Sequence, residues 1–171
     1  MSGCTGCSLV ATRADVVGGL GAALVATKTG AALLSVRADG SRAGVINVPY
    51  GSSFPRPAGG LMSCDTGARC VVVGRQSDGT AILSAFQLGA SGTWHDVSGS
   101  GGFPSATDVG APADLDGDGS LDLVVQESLP DGVGWIVFTW SGDDYTVKGC
   151  AAVVGTSLPD AGDLSRDSCS S

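Results

Sequence analysis

A chain of 171 residues, 43% apolar and 15% charged, is long enough for one domain with a hydrophobic core, and this composition argues against disorder. Its net charge of −8 and its lack of a basic stripe argue against nucleic acid as a partner, and no apolar run is long enough to cross a bilayer. The 28 glycines, and acidic residues that are aspartate at every position but one, favour turns over helices and predict an all-β fold.

Along the chain, three segments repeat one pattern: an apolar strand, a polar turn with glycine, a second strand, another glycine turn and a third strand. The segments are residues 22–51, 70–99 and 122–149. Val25, Val73 and Val125 mark the same place in each, at spacings of about 50 residues. The predicted turns are Thr29-Gly30, Asp78-Gly79 and Asp131-Gly132, followed in each copy by Asp39-Gly40, Ser91-Gly92 and Ser141-Gly142.

This repeat is typical of the four-stranded antiparallel blades of a β-propeller. We expect one domain whose copies cover about residues 20–60, 61–108 and 109–155. The termini, residues 1–19 and 156–171, would together complete one more blade. One alternative is a sandwich of three meander sheets. Another is a protomer whose open edge pairs with a second copy, since neither the period nor the length decides whether the ring closes within one chain.

The sequence "DLDGDGSLDLVV" places four aspartates in nine residues and follows them with an apolar strand. Alternating carboxylates on a glycine-bearing turn suit calcium, which takes six to eight oxygen ligands. An EF-hand is excluded because its position 12 requires an acidic residue, and Val125 stands there at the start of a strand rather than a helix. The predicted ligands are the four carboxylates and the carbonyl of the serine at position 7: Asp114, Asp116, Asp118, Asp122 and Ser120.

The same stretch resembles the integrin-alpha-type FG-GAP repeat, also described as the VCBS repeat, and matches Asp-x-(Asp/Asn)-Gly-Asp-Gly-x-x-Asp at every defined position. The blade pattern extends the resemblance more loosely over most of the chain. The resemblance implies a calcium-binding β-propeller. It also implies that the loop holds its Ca2+ between the outer strand of one blade and the inner strand of the next, through the residues just named.

The preceding copy departs from this motif. Its loop reads "CDTGARCVVV", where Cys70 stands in the place of Asp122 and Asp65 is the only acidic residue. We therefore hypothesise that a Cys64–Cys70 disulfide replaces calcium there. Cys4 and Cys7 look like a shorter version of the same device, which leaves Cys150 and Cys169 to pair.

Six cysteines in a β-rich chain favour disulfides and an oxidising compartment. Reduced structural thiols, and then a metal site, are the remaining alternatives. We expect a secreted or cell-surface protein. A lipoprotein anchored through Cys4 is an alternative reading of "SGC", although no apolar region precedes it.

Enzymatic activity is not expected. His95 is the only histidine, and its neighbour Asp96 would point to the opposite face of a strand. The predicted function is a binding or adhesion module for a glycan or an extracellular protein. The alternatives are a self-assembling structural protomer and an accessory domain of a polysaccharide-active enzyme. The candidate ligand-binding side chains are aromatic: Trp94, Trp135 and Trp140.

Overall fold

The computed structural model describes residues 7–27, 30–48, 61–75, 78–99, 102–104, 106–110, 112–129 and 132–152. These ranges contain β-strands and turns and no helix, so the all-β prediction is confirmed for them. None of their elements is a helix long and apolar enough to cross a membrane. The strands are β1 (Ser8–Val17), β2 (Leu20–Thr27), β3 (Gly30–Val36), β4 (Arg42–Val48), β5 (Leu61–Cys64), β6 (Arg69–Arg75), β7 (Ala81–Leu88), β8 (Trp94–Asp96), β9 (Asp108–Val109), β10 (Leu123–Leu129), β11 (Gly132–Trp140) and β12 (Tyr145–Ala152).

The strands form three four-stranded antiparallel sheets, each built from four consecutive strands. Sheet 1 is β1-β2-β3-β4, sheet 2 is β5-β6-β7-β8 and sheet 3 is β9-β10-β11-β12. The marker valines are equivalent in space as well as in sequence. Val25, Val73 and Val125 all lie on the second strand of their sheet, and each has Cα partners on the first and third strands.

The first sheet starts earlier in the chain than the repeat pattern indicates. Strand β1 lies within residues 1–19, which we assigned to a blade shared with residues 156–171, and it pairs with β2 along the edge of sheet 1. Residues 156–171 lie outside the described residues. The observed sheets therefore span residues 8–48, 61–96 and 108–152.

The turns between the third and fourth strands lie where the sequence predicts them. Gly40, Gly92 and Gly142 occupy these turns with φ of 80°, 91° and 109°, a backbone conformation that side chains with a Cβ rarely adopt. The turn between β6 and β7 contains Gly79, at φ 90°. Glycine at these positions lets each strand reverse onto its neighbour, which fixes the meander order.

The three sheets stack in chain order, with sheet 2 in the middle. One face of β6 presents Cys70 and Val72 to a core shared with sheet 1, and the opposite face presents Val71 and Val73 to a core shared with sheet 3. These four side chains are 0–7% exposed. A strand that is apolar on successive residues is therefore buried on both faces, as expected of a sheet held between two neighbours.

Candidate metal centre

The acidic loop precedes β10 and is closed at its base by a two-residue bridge. The N–H of Asp122 donates to the carbonyl of Ala113 at 2.7 Å, and the N–H of Ala113 donates to the carbonyl of Asp122 at 3.2 Å. Between them the chain makes a compact turn through Gly117 and Gly119, at φ 80° and 85°. The short loop brings carboxylates that are distant along an extended chain into one cluster.

Three of the four aspartates meet in this cluster. Asp114, Asp116 and Asp122 each offer a carboxylate oxygen, and the three oxygens lie within 4.8 Å of one another. Asp114 and Asp116 are exposed, whereas Asp122 is fully buried. The arrangement is open to solvent on one side and anchored in the protein on the other, which suits a bound cation that keeps some water.

Asp122 carries the strongest indication of a ligand. Its Oδ2 accepts the N–H of Leu115 at 2.9 Å, but its buried Oδ1 has no hydrogen-bond partner among the described residues. A buried carboxylate oxygen without a partner is costly, because it has lost its water and gained nothing in return. A cation at the cluster would compensate that cost.

Asp114 organises the loop through backbone hydrogen bonds. Its Oδ1 accepts the N–H groups of Gly117 at 2.7 Å and Asp118 at 3.1 Å, and its Oδ2 accepts the N–H of Gly119 at 2.9 Å. Asp116 adds a bond from the N–H of Asp118 at 3.2 Å. The loop is thus pre-folded by its own carboxylates, and its donor set consists entirely of oxygen.

The other two predicted ligands are placed differently. Asp118 lies outside the group of three, and its Oδ1 accepts the N–H of Ser120 at 2.7 Å. Ser120 is buried, and its hydroxyl accepts a hydrogen bond from Arg69 Nη2 at 3.0 Å. Ser120 makes these contacts through its N–H and its hydroxyl, and not through the carbonyl oxygen that we predict to bind metal.

The loop of sheet 2 is stapled as hypothesised. Cys64 and Cys70 are directly paired across β5 and β6 and form a disulfide, with their Cα atoms 4.0 Å apart. Cys7 and Cys150 each take part in a disulfide as well, so no free cysteine occurs in the described part of the chain. Cys4 and Cys169, and with them the other two proposed pairings, lie outside the described residues.

Arg69 is a site residue that sequence reasoning missed. It forms an ion pair with Asp65 inside the disulfide-closed loop, with Nη2 2.7 Å from Oδ2, and its backbone N–H donates to Oδ1 at 3.0 Å. Its guanidinium also lies 4.6 Å from the ring centroid of Trp140 and donates to Ser120. Arg69 therefore ties the stapled loop of sheet 2 to the acidic loop of sheet 3.

Lys148 is the second residue that the sequence analysis did not identify. Its Nζ forms an ion pair with Asp116 Oδ2, and both side chains are about one third exposed, 31% for Lys148 and 30% for Asp116. The hydrogen bond from Lys148 lowers the pKa of Asp116, and the same bond raises the pKa of Lys148. The one signal in the sequence is rarity, since Lys28 and Lys148 are the only lysines.

The three tryptophans that we considered for ligand binding lie in packed surroundings. Trp94 is 6% exposed in the core between sheets 1 and 2, and Trp135 is 5% exposed beside Val124 and Val137. Trp140 is half-buried and contacts the Tyr145 ring edge-on, at 5.4 Å between centroids. As placed, Trp94 and Trp135 offer no exposed ring to a ligand.

A separate cavity of about 510 Å³ lies between sheets 2 and 3. Its lining includes Ser84, Ser98, Phe103 and the carboxyl-bearing residues Asp96, Asp143 and Asp144. Phe103 is held there by edge-on contacts with the rings of Phe138 and Tyr145, at 5.2 and 5.7 Å between centroids. The cavity thus combines hydroxyl, carboxyl and aromatic side chains around one concave surface.

Comparison of the chain with protein-family models, with curated proteins and with solved structures finds no match.

Proposed function

We propose that this chain is an extracellular, calcium-stabilised binding or adhesion module of β-propeller type, similar to the FG-GAP/VCBS repeats. The proposal rests chiefly on one observation: the buried Asp122 Oδ1, without a partner among the described residues, belongs to a cluster of three carboxylates. The three four-stranded meander sheets, which share cores in chain order, also support the proposal, because propeller blades are four-stranded antiparallel sheets.

The chemistry of the oxygen ligands favours calcium among common cations. Zinc prefers histidine and thiolate ligands, and the group of three contains neither. Magnesium demands near-ideal octahedral geometry, whereas calcium accepts the irregular sets that a glycine-bearing loop offers. Asp114, Asp116 and Asp122 would hold the ion, and we keep Asp118 and the Ser120 carbonyl as further proposed ligands.

In this proposal the metal is structural and the module is not an enzyme. Calcium would neutralise the acidic loop and fix the start of β10. One face of this strand packs in the core shared by sheets 2 and 3, and the other packs in the cluster of Val124, Trp135 and Val137. The disulfides support an oxidising compartment and hence a secreted or cell-surface location. A glycan or an extracellular protein is the proposed partner, and the cavity between sheets 2 and 3 is its proposed location.

Calcium titration by isothermal calorimetry tests the metal assignment. Asp122→Asn keeps an acceptor for Leu115 but removes the buried charge, so we expect calcium affinity to fall at least about tenfold. Asp143→Asn is the matched control, because it removes an equal charge from an exposed residue of the same sheet region and should leave affinity unchanged. Equal affinities for wild type and Asp122→Asn would refute the site.

A glycan array then tests whether the partner is a sugar. The absence of binding to any glycan on the array would favour a protein ligand.

A second candidate function is assembly through sheet edges. Leu9 on β1 and Val45 on β4 are 57% and 50% exposed, and both lie on edge strands of sheet 1. Exposed apolar edges are templates for pairing with another chain. Light scattering distinguishes the candidates, since a monomer supports the closed module and a defined large oligomer supports assembly. An accessory role beside a polysaccharide-active enzyme would need further domains.

A further inference from the structure

Lys148 lies on an irregularity of sheet 3. Val137 pairs with Gly149 and the next residue, Phe138, pairs with Val147, which leaves Lys148 as the extra residue of a β-bulge in β12. A bulge turns one side chain out of the regular alternation of a strand. Here it carries the side chain that reaches the acidic loop, and the ammonium of Lys148 forms an ion pair with Asp116.

Sheet 1 has the same bulge without the cation. Ser35 pairs with Gly44 and Val36 with Arg42, so that Ala43 is the extra residue, and it is followed by a glycine as Lys148 is. In sheet 1 the first two strands are joined by a short Gly18-Gly19 turn, in place of the acidic loop of sheet 3. A lysine stands at the bulge in the sheet that carries the carboxylate cluster, and an alanine stands there in the sheet that does not.

We propose that Lys148 is a built-in counter-cation of the acidic loop, which neutralises Asp116 while the metal is absent and which a bound calcium ion must displace. This inference rests on the proposed calcium site. Asp116 is one of the three residues whose carboxylate oxygens converge, so an ammonium held on its Oδ2 and a cation in the cluster compete for one carboxylate.

Two consequences follow from this competition. Without metal, the ammonium relieves the repulsion among the four aspartates and keeps the loop folded. With metal, the ammonium must leave Asp116, and the loss of that ion pair lowers the calcium affinity. Lys148 would thus make the site bind calcium more weakly than the same loop would without this counter-cation.

Calorimetric calcium titration of Lys148→Met tests the inference, because the thioether side chain keeps the aliphatic stem and loses the charge. We expect its dissociation constant to fall roughly three- to tenfold relative to wild type, as expected for removing one charge near a divalent ion in a partly solvated site. Lys148→Arg keeps the charge and should stay within about twofold of wild type. Arg42→Met is the matched control, since it removes one exposed charge from sheet 1 and leaves the loop of sheet 3 intact.

Thermal unfolding in chelator supplies a second readout. Lys148→Met should unfold about 1 to 3 °C below wild type without metal, and the difference should vanish or reverse at saturating calcium. If wild type and Lys148→Met bind calcium equally well, or if the variant binds more weakly, the counter-cation is refuted while the calcium site stands. If neither binds calcium, the proposed function fails and this inference fails with it.

Discussion

Removal of the Cys64–Cys70 disulfide measures how much a covalent staple contributes in the sheet where it stands in place of the acidic loop. The bond joins residues six apart. Loop-closure entropy for that separation gives about 2.2 kcal/mol of stabilisation, through restriction of the unfolded chain. For a domain of this size, a loss of about 2 kcal/mol lowers the melting temperature by roughly 4 to 9 °C.

The change is best made as the double variant Cys64→Ala/Cys70→Ala, because a single replacement would leave a buried thiol, Cys70 being fully buried. Reductant is a poorer choice, since it would also open the disulfides of Cys7 and Cys150. The assay is thermal unfolding followed by circular dichroism in chelator, with Val72→Ala, on the same face of β6, as a control for lost packing. A melting temperature within about 1 °C of wild type would refute the staple.

Two further predictions concern residues around the loop. Arg69→Met leaves the 3%-exposed Asp65 carboxylate without its cation, so the free energy of unfolding in denaturant should fall by about 3 kcal/mol. The double variant Arg69→Met/Asp65→Asn should recover part of this loss. A loss below about 1 kcal/mol for Arg69→Met would contradict the stabilising ion pair. Tyr145→Phe removes a buried hydroxyl that has no partner among the described residues, so its melting temperature at pH 7 should equal or exceed that of wild type. Burial raises the pKa of Tyr145, so wild type should lose stability relative to Tyr145→Phe as the pH rises above about 10, the pKa of tyrosine in an unfolded chain. A melting temperature more than about 2 °C below wild type at pH 7 would contradict this account.

Local sequence was enough for the features that depend on neighbouring residues. The hairpin glycines, the strand of successive apolar residues around Val72 and the short loop between Cys64 and Cys70 are all set by spacing within a few positions. The acidic loop belongs to the same class, since its carboxylates come together across a single turn.

Sequence spacing could not supply the contacts that join distant parts of the chain. Arg69 and Ser120 are 51 residues apart, and Lys148 and Asp116 are 32 apart. Each pair depends on how the sheets stack or on a bulge that shifts the register. The position of strand β1 was predicted wrongly for a different reason, which is the variable length of the first strand. The first strand of each sheet differs greatly in length, from two residues in β9 to ten in β1, so the repeat pattern becomes recognisable only at the second strand.

The most direct test of the calcium-stabilised module is a crystal structure of the protein grown in millimolar calcium. We predict one ion at about 2.3–2.6 Å from carboxylate oxygens of Asp114, Asp116 and Asp122, with the Asp122 Oδ1 among its ligands. In the same structure, the Lys148 ammonium should have left Asp116. A fully calcium-saturated crystal with no ion at this loop, or with Lys148 still paired to Asp116 and the cluster filled by water, would contradict the account.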